Sequence, residues 1–192
     1  MTRDRVRGRR RPHPVVAAAV CLVLVLLAAG VVRYFVVQPF RVPSASMEPT
    51  LLPGDVLLAD RSERGRADRG DIVVFDGTGY FAPSAEDGDR YWVKRVIATG
   101  GDRVTCCDEG GQLTVNGRAL AEPYLRDDMA PSEIEFDLEV PEGRMFVLGD
   151  NRSDSTDSRH LLGAPGGGMI PVDRVVGEVD RLVWPLPRAG VL

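Results

Sequence analysis

Eighteen consecutive residues without a charge, VVAAAVCLVLVLLAAGVV from Val15 to Val32, constrain this chain more than any other feature. At about 1.5 Å per residue, some twenty such residues cross an apolar layer of about 30 Å. The run is apolar on every side, which suits lipid rather than one face of a protein core. Residues 1–13 hold six Arg and one Asp. Such a flank predicts a cytoplasmic N-terminus and a chain that emerges on the outer side. Tyr34 and Phe35 follow Arg33, where aromatic residues suit the far interface. A cleaved signal peptide is the rival, because Ala28-Ala29-Gly30 supplies small residues at the right spacing. The run stays apolar well past that point, which favours an uncleaved anchor. The expected organisation is a basic cytoplasmic tail at 1–13, a transmembrane anchor at 14–37 and an extracytoplasmic domain at 38–192. Cys21, inside the run, reads as inert filler.

Of the 192 residues, those beyond the tail carry 18 Lys and Arg against 27 Asp and Glu. That acidic balance speaks against a nucleic-acid partner. The length suffices for one domain with a small insert. Three Cys are too few for a disulfide scaffold. Lysine occurs once, at Lys94, and histidine twice, at His13 and His160.

Short apolar runs recur between turn signals at 56–59, 72–75, 92–98, 145–148, 175–179 and 182–184. Ile134, Phe136, Leu138 and Val140 alternate with acidic residues, as in a strand with one wet face. Asn116-Gly117 reads as a hairpin turn after Leu113-Thr114-Val115. No second segment has a helical period. The expected fold is all-β, of twisted antiparallel sheets or a barrel. Residues 76–90 and 163–168 read as exposed loops, and 103–142 as a small insert with hairpins of its own. Cys106 and Cys107 fall inside that insert. In an oxidising compartment they could bridge each other, although such a bridge is strained; free thiols or intermolecular bridges are the alternatives. No His lies near them to complete a metal site.

Three segments hold more small and polar residues than folding needs, at 43–51, 93–96 and 149–159. Each alone reads as a turn or a surface strand. In order and spacing they form a set: Ser44-x-Ser46-Met47-x-Pro49-Thr50-Leu51, then Gly70-Asp71-Ile72-Val73-Val74-Phe75, then Val93-Lys94-Arg95-Val96, then Gly149-Asp150-Asn151-Arg152-x-x-Ser155-x-Asp157-Ser158-Arg159. A weaker stretch runs from Ile170-Pro171 to Val176-Gly177. With the anchor, this set resembles the type I signal peptidases, membrane-bound serine proteases that remove signal peptides from exported proteins. The resemblance runs from about residue 15 to 184 and suits a short, single-anchor bacterial form.

The resemblance implies Ser46 as nucleophile and Lys94 as general base. An amine can serve only when neutral, so Lys94 must be desolvated; burial can lower a Lys pKa by about 3–5. Val93, Val96 and Ile97 flank it with apolar side chains. Ser44 matches the family's oxyanion-hole serine, which acts with the Ser46 backbone N–H. Ser155 matches the serine that orients the lysine, and Asp157 and Arg159 match a bracing ion pair. Asp150, Asn151 and Arg152 read as structural. Phe40, Val42, Met47, Leu51, Trp92 and Val93 match the lining of shallow pockets for small side chains such as Ala-x-Ala; ordinary core packing is the alternative for each.

Gly163 to Gly168 lengthens the segment after Arg159 and departs from the family pattern. His160, the one His outside the tail, invites a Ser-His-Asp reading, but a surface or structural His fits the pattern better. No metal or cofactor is expected. The expected partners are preprotein signal peptides and the lipid bilayer, with the chain a monomer at the cytoplasmic membrane. A self-cleaving repressor-type protease shares the dyad but needs a DNA-binding module and a cytosolic location. An inactive anchored β-domain would not need Ser46 and Lys94 together.

Overall fold

The computed structural model describes residues 14–81, 90–164 and 166–192, without the side chains of residues 32–35. The expected tail, part of the 76–90 loop and the interfacial role of Tyr34 and Phe35 lie outside the described residues. The chain divides into two compact units, one ending at Phe35 and one spanning Val36–Leu192.

In the first unit, helix α1 (Pro14–Val36) contains the apolar run in 23 residues. At about 1.5 Å per residue that is long enough to cross a bilayer. Leu22, Val23, Leu24, Val25, Leu26 and Leu27 are each more than half exposed. Six consecutive positions cover the whole helix circumference. No face of this segment is reserved for a protein core, as the composition predicts.

The second unit is β, with every strand pair antiparallel. Val37, expected in the anchor, opens strand β1 (Val37–Arg41), which pairs along its length with β2 (Val56–Asp60). Then follow β3 (Ile72–Asp76), β4 (Tyr91–Thr99), β5 (Arg103–Cys106), β6 (Thr114–Val115), β7 (Arg118–Ala119), β8 (Phe136–Glu139), β9 (Arg144–Leu148), β10 (Ile170–Pro171), β11 (Val175–Trp184) and β12 (Gly190–Val191). The main sheet has the order β1-β2-β11-β3-β4-β9-β10, with β12 on β11. The runs expected at 175–179 and 182–184 are one strand. Register shifts interrupt its pairing with β2 and with β3. Such bulges bend a strand, so β11 borders β3 with its first part and β12 with its last.

The insert expected at 103–142 forms a separate sheet, β7-β6-β5-β8. Asn116 (φ 54°) and Gly117 (φ 73°) turn β6 into β7 with the two positive φ values such a hairpin requires. On β8, Phe136 is buried while Asp137 and Glu139 are exposed, in step with the alternation. Cys106 and Cys107 are bridged to each other, the first of the alternatives.

β3 is buried on both faces. Ile72 and Val74 enter one core with Val42, Met47, Leu51 and Leu57. Val73 and Phe75 enter another with Val96, Met145 and Val147. A third core joins Ile97, Phe146 and Leu148 of the main sheet to Val104, Val115 and Phe136 of the insert.

Candidate active site

The turn after β1 carries Ser46. Glu48 N donates to Ala45 O at 3.0 Å and Leu51 N to Met47 O at 2.9 Å. Met47 and Leu51, one helical turn apart, are buried in the core below. This apolar staple fixes the turn and leaves Ser44 exposed and Ser46 half-buried above it. A second set of bonds ties the turn to the polar motif: Asn151 N donates to Ser46 O (3.1 Å) and Asn151 Nδ2 to Ala45 O (3.1 Å).

Lys94 lies in β4, opposite Val73 of β3. On its other side the β4–β9 ladder runs from Thr99↔Met145 to Arg95↔Leu148 and stops one residue short of Lys94. There the chain leaves β9 as Gly149-Asp150, so Lys94 faces a turn rather than a strand. Lys94 Nζ donates to Ser46 Oγ at 2.6 Å. The lysine is 2% exposed, and its ammonium lies 5.6 Å from the centre of the Trp92 ring. Desolvation lowers its pKa from 10.5 to about 8; Asp157 and Asp150 partly oppose this, and Arg159 adds to it. The site therefore joins a hydroxyl to a buried amine that loses its proton far more readily than a free lysine.

Ser44 Oγ donates to Ser46 Oγ at 3.3 Å. Ser155 Oγ is buried; it makes no hydrogen bond of good geometry but lies close enough to the Asp157 carboxylate to favour its ionised form. Asp157 and Arg159 form a buried two-pronged ion pair, Nε to Oδ1 at 2.9 Å and Nη2 to Oδ2 at 2.8 Å. Asp157 also accepts from Gly149 N at 3.1 Å. Burial alone would raise the Asp157 pKa, but the bonds and charge of Arg159 outweigh it and hold the carboxyl below its usual range. Asp150 accepts two bonds from Arg95 (2.9 and 2.8 Å) and one from Thr50 Oγ1 (2.5 Å). Gly149 has no room for a side chain: a Cβ there would lie 2.2 Å from Ser155 Oγ and 2.4 Å from Ser46 O.

A cleft of about 360 Å³ opens over Ser44, Ser46 and Lys94. Of the six residues expected to line it, Val42, Met47, Trp92 and Val93 do so. Leu51 and Phe40 are not in its lining. Leu51 is fully buried in the core under the turn, and Phe40 packs against that core and edge-on to Tyr91 (5.4 Å). Tyr91, Asp154 and Thr156 line the cleft and were not anticipated. Tyr91 adjoins the expected Trp92, but Asp154 and Thr156 stand in a polar turn where nothing in the sequence sets them apart. His160 is 45% exposed, with Nδ1 3.6 Å from Asp157 Oδ1. It lines a different cavity, beside Arg126 and Glu133. A Ser46–His160 pairing is not assembled. Of the lengthened segment, Gly163 and residues 166–168 lie in turns, and Gly167 N donates to Ala164 O (2.9 Å).

Comparison with known proteins gives this site a family. The family model described as "Signal peptidase, peptidase S26" matches residues 15–184. Signal peptidase I of Mycobacterium tuberculosis (strain ATCC 25618 / H37Rv) is 37% identical over 218 residues, covering 91% of this chain and 74% of that protein. Signal peptidase I of Bacillus caldolyticus is 37% identical over 196 residues, covering 95% and 93%. The crystal structure of a signal peptidase I from Enterococcus faecalis V583 aligns at 28% identity with a TM-score of 0.44, over 59% of this chain and 96% of that one. On the span of the family match and the extent of the relatives, the chain belongs to the signal peptidase family, peptidase S26.

Proposed function

We propose that this chain is a type I signal peptidase that cuts signal peptides from exported preproteins with a Ser46/Lys94 dyad. The observation that carries the reading is the 2.6 Å bond from Lys94 Nζ to Ser46 Oγ at the floor of an open cleft. Neutral Lys94 takes the Ser46 proton as Oγ attacks the scissile carbonyl. The Ser44 hydroxyl and the Ser46 backbone N–H stabilise the oxyanion. The resulting Lys94 ammonium then protonates the leaving amine, and the mature N-terminus departs. Lys94, neutral again, takes a proton from the water that attacks the acyl-Ser46 ester and returns it to Ser46 Oγ as the new carboxyl group departs. By the family resemblance Ser155 orients the lysine, and the Asp157–Arg159 pair braces the turn that carries Ser155. Val42, Met47, Trp92 and Val93 favour small apolar side chains before the cut. The reaction calls on no metal or cofactor.

The same reading assigns α1 as an uncleaved membrane anchor, with residues 1–13 cytoplasmic and the β-domain on the outer face of the cytoplasmic membrane. The substrate is a preprotein, and the enzyme acts as a monomer in the bilayer. The test is cleavage of a preprotein by the full chain in detergent. Wild type and His160→Ala should release the mature product and Lys94→Arg should not. Cleavage lost in His160→Ala but kept in Lys94→Arg would replace the dyad with a triad.

A further inference from the structure

Two side chains of the insert reach the arginines beside the proposed dyad, and neither lies in the sequence motifs described above. Glu122 and Tyr124 lie in the connection from β7 to β8. The Glu122 carboxylate receives the Arg152 guanidinium on both oxygens, Nη2 on Oε1 and Nη1 on Oε2 (3.3 Å). Both side chains are withdrawn from water, 1% exposed for Arg152 and 5% for Glu122. Tyr124 Oη donates to Glu122 Oε1 at 2.9 Å. The Tyr124 ring lies under the Arg95 guanidinium, 4.0 Å from Cζ to the ring centre.

The two arginines hold the groups around Lys94. Arg95, the next residue along β4, grips Asp150. Arg152 Nε donates to Gly149 O (3.0 Å), Nη1 donates to Pro131 O (2.7 Å), and its own carbonyl accepts from Arg159 Nη2 (2.9 Å). A buried ion pair adds little stability that two apolar side chains could not supply. What it adds is direction, since the planar guanidinium fixes several acceptors at once. Direction counts here because Gly149 packs on Ser46 O and Ser155 Oγ with no room for even a Cβ. A displacement of Gly149 is therefore felt by both serines.

We infer that Glu122 and Tyr124 are positioning residues for the reaction: they fix Arg152 and Arg95, and through them hold the 149–159 turn against Ser46 and Lys94. Neither lines the cleft, so they act on turnover and not on substrate binding. The inference rests on the dyad reading above.

The test measures kcat, KM, the pH profile and thermal unfolding of full-length variants in detergent on one preprotein. Glu122→Gln keeps the shape and removes the charge. Its kcat should fall about 10- to 100-fold, the cost of a misplaced catalytic group, with KM changed less than about twofold. Its acid limb should move to lower pH: a drifting turn weakens the hold of Asp157 and Asp150, which raise the Lys94 pKa, more than that of Arg159, the smaller and opposite influence on the same turn. Tyr124→Phe keeps the ring under Arg95 and should lose less than Tyr124→Leu. The double variant Glu122→Leu/Arg152→Met removes both charges. It should regain thermal stability yet keep the low kcat. Recovery of both would make the pair merely structural and overturn the inference, as would wild-type kcat and acid limb in folded Glu122→Gln. Lys94→Arg, run alongside, tests the dyad separately: normal cleavage by it removes that reading, whatever Glu122→Gln does.

Discussion

Lys94 Nζ and Ser46 Oγ share a 2.6 Å hydrogen bond, although 48 residues separate them in the chain. The bond is made by a lysine that is 2% exposed. Burial lowers the lysine pKa to about 8 and the contact aims the amine at the hydroxyl, and this relationship underlies the first predictions.

Lys94→Arg keeps a cation of similar length but stays protonated, because the Arg pKa is above about 12. Cleavage should vanish. In the wild type, kcat/KM should rise with pH through an acid limb near the Lys94 pKa of about 8. A kcat/KM that does not change with pH through that range would remove Lys94 as the base.

The same lowered pKa makes Lys94 a burden on folding. Between about 8, its pKa in the fold, and 10.5, its ordinary value, the unfolded chain holds the proton and the folded one does not. Stability therefore rises with pH across that window, and the penalty is complete below it. Lys94→Met should unfold at higher denaturant than wild type at pH 7, and the gap should shrink towards pH 10.5. A gap independent of pH would contradict the buried-amine account.

Ser44→Ala should lower kcat by about 10²–10³ with KM little changed, since an oxyanion donor acts mainly in the transition state. Ser44→Thr keeps a hydroxyl and should lose less. Equal small losses in steady-state kinetics would remove Ser44 from the oxyanion hole.

Gly149→Ala would place a Cβ 2.4 Å from the Ser46 carbonyl and 2.2 Å from Ser155 Oγ. The nucleophile turn must then shift, and turnover should fall by about 10²-fold. Gly163→Ala, with nothing within 4 Å of its Cβ, is the control and should cleave normally.

Topology is checked by protease added to intact spheroplasts. The β-domain should be digested and the tail at 1–13 protected. N-terminal sequencing should start near Met1. A start at Val31 would instead indicate a cleaved signal peptide.

The sequence by itself determined what depends on local pattern. Hydrophobicity without a face defined α1, and alternation with turn residues located most of the strands, down to the Asn116-Gly117 hairpin. The four ordered motifs carried the family resemblance, and the resemblance pointed to Ser46, Lys94 and the 149–159 turn. Only the tertiary structure decided what depends on distance across the chain. It buried Lys94 beyond the end of the β4–β9 ladder, kept Leu51 out of the cleft because its side chain staples the nucleophile turn, and aimed His160 at Asp157. It also paired Glu122 with Arg152, two residues that no spacing connects. Periodicity fixes which face of an element is apolar; which elements then meet, and which charges lose their water, follows only from packing.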